Sequence, residues 1–166
     1  MSEPESEIYF ELSKSILRFC AYRRSLYMED SCLNIYSDTD FHQVIAGSLF
    51  CNAILKWCVL FGADSNEYHW KKIVANGDEF RKKLHQAYSG EDNWVYVQKT
   101  FTNARNQAIA HVNDGKSRSV LDQQLLLKAV ALFIEELKTI TDEPDIIHFD
   151  TVSFFKEELT KSSIQP

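Results

Sequence analysis

The chain has 166 residues, enough for one domain with a real core and too few for two. Hydrophobic residues make up 45% and aromatics 13%, which excludes a disordered chain, and five Gly with three Pro leave little turn material for an all-β domain. A net charge of −6, with a pI near 5.4, argues against a broad nucleic-acid footprint, though a small site holding one or two phosphates remains compatible with it.

The first periodic segment runs from Ser6 to Glu29. Ile8, Leu12, Ile16, Phe19, Cys20 and Arg23 recur at three- and four-residue spacing and predict one apolar stripe on a helix. Ser31 to Asp38 is a polar break. Asp40 and Gln43 then make a capping pair for a second helix that is apolar around most of its circumference from Phe41 to Phe61, the expected central helix, ended by Gly62. Asn66–Ala75 and Asp78–Tyr88 read as two shorter helices separated by the turn pair Asn76-Gly77.

A fifth helix starts near Glu91, with Trp94, Val97, Phe101, Ala104, Ala108 and His111 on one stripe, and closes at Asn113-Asp114-Gly115. Ser119 and Asp122 are read as a capping pair for a sixth helix, which carries Leu121, Leu125, Leu126, Ala129, Val130, Phe133, Leu137 and Ile140 and ends before Pro144. In the tail, Ile146–Phe149 reads as lying extended over the bundle, and Thr151–Leu159 as a short helix before a frayed end. The whole chain, 1–166, is thus expected to be a single all-α domain: a five- to six-helix bundle with its core over about 6–142, and with 145–166 packing on it as a tail.

Cys20, Cys32, Cys51 and Cys58 show neither a C-x-x-C pair nor zinc-ligand spacing, so buried reduced thiols and a cytoplasmic setting are expected. The first seven residues are polar and acidic, unlike a secretory signal. The longest uninterrupted apolar run, Trp57 to Phe61, is too short to cross a bilayer, and no membrane association is expected. The basic clusters Lys71-Lys72 and Arg81-Lys82-Lys83 read as solvated helix faces. No Ser-His-Asp order, Gly-rich phosphate loop or His-Glu metal spacing is present, so neither a cofactor nor a metal is expected.

The stretch with the most chemistry is Arg105-Asn106-Gln107-Ala108-Ile109-Ala110-His111. An arginine neutralises a phosphate, and a histidine moves a proton near neutral pH. Six positions on one ideal helix separate the two side chains by roughly 120° and about 9 Å, so a single helix does not aim both at one point. A bent arginine or a symmetry-related copy completes such a site. Spacing alone favours a structural histidine capping its helix. Arg105 falls beside the apolar stripe, on a flank shared with Thr102, Ile109 and Val112. His42, His69, His85 and His148 read as surface or packing residues. Asp40 and Glu79 read as caps, with proximity to Arg105 as the alternative.

This arrangement resembles the HEPN superfamily (higher eukaryote and prokaryote nucleotide-binding domains), whose hallmark is an arginine, a polar residue and then a histidine four to six positions after the arginine, at the end of a long helix. The order of Ala53–Cys58, Asp78–Arg81 and Arg105–Asp114 looks like its abortive-infection branch, over roughly residues 40–140. The resemblance implies a homodimer with the two motifs facing each other, and in active members a metal-independent endoribonuclease of toxin or phage-defence type. Carried to this chain, it implies that His111 handles the 2′-hydroxyl or leaving-group proton and that Arg105 holds the scissile phosphate. It implies that Asn106 bonds the phosphate or fixes His111, with a 2′,3′-cyclic phosphate as product. The superfamily also has non-catalytic members, which implies as alternatives an RNA- or nucleotide-binding or protein-interaction module, and an antitoxin or a nucleotidyltransferase as partner.

Overall fold

The computed structural model describes residues 3–26, 39–88, 93–110 and 122–162, and all regular structure among them is helical. In chain order the elements are α1 (Glu3–Ser25), α2 (Thr39–Phe61), a 3-10 turn (Trp70–Lys72), α3 (Gly77–Ala87), α4 (Trp94–Ala110), α5 (Gln123–Ile140), α6 (Pro144–Ile147) and α7 (Thr151–Ser162). α1 packs along α2 and also meets α5 and α7, α4 lies on α2, and α3 and α6 flank α5.

The most enclosed helix is α5, not α2. Leu126, Ala129, Val130, Phe133, Ile134 and Leu137 are completely buried because α1, α2, α3 and α6 surround them. α2 buries Ala46, Ala53, Ile54, Trp57, Cys58, Leu60 and Phe61 but leaves Val44 67% and Leu55 36% exposed. Its apolar circumference thus exceeds what its neighbours cover. Averaged over its length rather than read as an uninterrupted run, Gln43–Phe61 has 19 residues with mean hydropathy 1.9, long and apolar enough by composition to cross a membrane. This revises the expectation that no segment reaches that length.

α1 also differs from its predicted stripe. Its buried face is Tyr9, Phe10, Ser13, Ile16, Leu17, Cys20 and Ala21, while Ile8 is 39% exposed and Leu12 only partly covered. The sequence carries two overlapping stripes of helical period, and the positions of α2, α5 and α7 select between them. Ser13 tolerates full burial because its hydroxyl donates to the Tyr9 carbonyl at 2.9 Å.

The predicted helix over Asn66–Ala75 is absent; a chain of turns and one 3-10 turn replaces it. Two side chains compete with helical backbone bonding there. The Asn66 amide donates to the carbonyls of Cys58 (2.7 Å) and Val59 (3.3 Å), filling acceptors left open at the end of α2. The His69 Nδ1 accepts from the Lys71 N–H at 3.3 Å and so caps the turn. Gln98 from α4 covers two further carbonyls at the α2 terminus, Phe61 at 2.7 Å and Gly62 at 3.2 Å. Gly62 itself is required by space, since a Cβ there would lie 2.3 Å from the Cys58 carbonyl oxygen.

Other boundaries follow from single side chains. Asn76 caps α3 by accepting from the Glu79 N–H, and its amide donates to the Glu79 carboxylate at 2.8 Å. α5 is capped by Asp122, which accepts from the Gln124 N–H at 2.8 Å. Asp122 is therefore the cap itself rather than the partner of Ser119, which lies outside the described residues, as do Cys32 and the side chain of Asp40.

The tail folds as helix, as expected for Thr151–Leu159, but Ile146 and Ile147 belong to a helical turn rather than an extended strand. α7 is fixed to α1 by Glu158, only 4% exposed, which accepts from Arg18 Nε at 2.9 Å and the Tyr22 hydroxyl at 3.0 Å. Burial pushes the Glu158 carboxyl up, but hydrogen bonds from Tyr22, Arg18 and Lys161 outweigh it and hold the group below the usual carboxylate range.

Two stability outcomes follow. Gly62→Ala forces a methyl onto the α2 terminus and lowers stability by about 1–3 kcal/mol in urea unfolding, whereas exposed Lys72→Ala is near neutral. His69 is fully buried, and that burial lowers its pKa to about 4, against opposing help from Asp64. The unfolded chain therefore binds the proton first. Stability is intact above about pH 6.5 and is lost as the pH falls toward 4, by up to about 3 kcal/mol. Glu158 adds its own loss at lower pH, beginning as the pH falls through the ordinary carboxylate range and continuing below it. Urea unfolding at pH 6.5 and 5 isolates the histidine: His69→Asn, which keeps a capping acceptor, should flatten the slope between those values.

Candidate functional site

The core of the predicted α4 stripe is confirmed where it is described: Trp94, Val97 and Phe101 are buried against α2, and Ala104 is partly covered. Phe101 sits with its ring centroid 5.0 Å from that of Trp57, which sets both the height and the rotation of α4 on α2. One turn later, this rotation leaves Arg105 half-buried on the flank.

The flank is a seam with α2. The Cys58 thiol faces the Phe101 carbonyl at 3.6 Å and is hydrogen-bonded by Thr102, the residue one turn before Arg105. Burial pushes the Cys58 thiol up to about 11, while the nearby Arg105 charge and the Thr102 hydroxyl draw it part of the way down. Arg105 is thus close enough to act electrostatically on a buried α2 residue. Neither Cys58 nor Thr102 stands out in the sequence as a site residue, and the only signal was the shared helical flank of Thr102 and Arg105.

Arg105 and Asn106 are brought together. The Asn106 Oδ1 accepts from Arg105 Nε at 3.2 Å and from Nη2 at 3.0 Å. Both lie on the outer side of α4, with Asn106 exposed. The third sequence-derived residue, His111, lies just past Ala110 and outside the described residues. Glu79 is engaged as the α3 cap with Asn76. No described contact joins Glu79 to Arg105.

The remaining titratable clusters are accounted for structurally. His69 Nε2 lies 3.5 Å from Asp64 Oδ1, and Asp64 also binds Lys71. With Nδ1 taken by the Lys71 N–H and the ring fully buried, His69 holds the turn. His85 and His148 are exposed. The basic clusters are exposed and partly paired, Arg81 with Asp78 at 3.5 Å and Lys83 with Glu136 at 2.8 Å. Among the described residues no three of His, Cys, Asp and Glu stand close enough together to hold a metal ion.

Comparison with known protein families, curated proteins and solved structures gives no match. The site therefore rests on its own geometry.

The described cysteines are free thiols, but Cys51 is only partly covered, contrary to the expectation of uniform burial. Peptide mapping after iodoacetamide at pH 8 should find Cys51 alkylated in the native protein. Cys58 and Cys20, whose burial raises them to about 11 and about 12, should react only after unfolding. Arg105→Ala removes the charge that draws the Cys58 thiol down, so it should not increase Cys58 labelling unless the seam opens.

Proposed function

We propose that this chain is a HEPN-like helical protein and a metal-independent RNA endonuclease of toxin or phage-defence type, working as a homodimer in the cytoplasm. The observation that carries this reading is the half-exposed Arg105, gripped by Asn106 on the outer flank of a long helix in an all-helical chain, with His111 six positions further on.

In that reaction the ribose 2′-oxygen attacks the adjacent phosphorus and gives up its proton. The bond to the 5′-oxygen breaks, that oxygen takes a proton, and a 2′,3′-cyclic phosphate and a 5′-hydroxyl remain. His111 from one or both chains would carry the proton, and Arg105 would stabilise charge developing on the non-bridging oxygens. On an ideal helix, six positions would separate the two side chains by roughly 120°, an expectation that favours a site shared between two copies.

The net charge of −6 favours a second reading, a non-catalytic nucleotide-binding or protein-interaction module that uses the same flank. An antitoxin or a nucleotidyltransferase is the corresponding partner.

Purified protein incubated with mixed RNA in EDTA should produce cyclic-phosphate ends. His111→Ala should slow cleavage about 100- to 10,000-fold, the range for losing a general acid–base. Cleavage unchanged in His111→Ala would remove His111 from catalysis. Nucleotide binding without cleavage by the wild type would select the second reading.

A further inference from the structure

We infer that Asn106 is a positioning residue that acts through Arg105, and that Arg105 takes a phosphate end-on, through the Nη1–Nη2 edge of its guanidinium. The inference rests on the phosphate-handling role proposed above for Arg105.

The argument is stereochemical. A guanidinium presents five N–H groups in a planar fork and can engage a phosphate in two bidentate ways, through Nε with Nη2 or through Nη1 with Nη2. Asn106 Oδ1 occupies the first edge, accepting from Nε at 3.2 Å and Nη2 at 3.0 Å. The second edge keeps both protons of Nη1 and one of Nη2. A neutral amide oxygen is suited to this task, because it orients the fork without cancelling its charge, as a carboxylate would.

The surroundings agree with this division. On the α2 side Arg105 is close to Cys58, whose thiol is already engaged by Thr102 and the Phe101 carbonyl. The helix interior on that side is filled by Phe101 and Trp57. Asn106, on the outer surface, holds the side-on edge, and among the described residues none is bonded to the end-on edge. With its oxygen committed to Arg105, Asn106 keeps its amide N–H groups as the part able to meet a phosphate oxygen, and the KM of Asn106→Ala reads that contact apart from the positioning role.

The test has two arms. In 15N-edited spectra of the intact protein, with the Arg105 signals assigned by Arg105→Lys, the Arg105 Nε–H should be protected from water exchange. Asn106→Ala should abolish that protection and Asn106→Asp should retain it. Titration with inorganic phosphate should shift the Arg105 Nη signals and leave Nε–H protected. A wild-type Nε–H that exchanges freely, a phosphate response centred on Nε–H, or no Arg105 response to phosphate would overturn the inference.

In the RNA cleavage arm, Asn106→Ala should lower kcat about 10- to 100-fold, as expected for a misaimed catalytic group, with KM little changed. Asn106→Asp should instead raise KM, because its charge offsets that of Arg105. A change confined to KM in Asn106→Ala would mean that Asn106 binds the substrate itself and would overturn the inference. If the wild type shows no cleavage while the spectroscopic pattern holds, the nuclease reading fails and the end-on phosphate site stands.

Discussion

Trp57 is the interaction on which the other elements depend. Its ring is completely buried and lies 5.0 Å from Phe61, 5.0 Å from Phe101 and 5.8 Å from Trp94, so α2 and α4 meet through four aromatic rings. Phe61 continues the contact to Phe133 of α5 at 5.7 Å, and Phe133 reaches Tyr9 of α1 and Phe80 of α3. Large flat rings bury much area and prefer tilted or edge-to-face approach, which restricts how neighbouring helices can rotate. Among the described residues the Trp57 Nε1 has no hydrogen-bond partner, so area and shape hold the ring in place.

That restriction reaches the surface. Phe101 is one turn from Arg105, so the rotation imposed at Trp57 decides that Arg105 emerges on the flank beside Cys58 rather than pointing inward or away from α2. The chemistry of the candidate site is carried by two polar residues, but its aim is set by an apolar contact one turn away. The same logic governs the other buried polar groups. His69 and Glu158 each sit within packed surroundings and each fixes a connection, one between α2 and α3 and the other between α7 and α1.

Several features were legible in the residues. The stripe Trp94, Val97 and Phe101 is a clean helical period and was buried as read. The α5 residues Leu126, Ala129, Val130, Phe133 and Leu137 were likewise unambiguous. Asn76-Gly77 marked the start of α3, and the basic residues of α3 proved to be a solvated face. The 66–75 segment failed because its apolar spacing fits a helix while Asn66 and His69 spend their side chains on backbone groups. Ile8 and Leu12 failed because two stripes of equal period lie on α1, and only the neighbours choose between them.

By itself, the sequence determined that the chain is helical, where most helices begin and end, and which residue types can handle a phosphate. These are local properties: period, caps and chemical identity are written within a few positions of the residue concerned. Only the tertiary structure decided which helix is central, which α1 face is inward, and that Arg105 lies close enough to the buried Cys58 to act on its thiol. Those outcomes depend on contacts between residues far apart in the chain, and packing, unlike periodicity, has no signature in the spacing of any one segment.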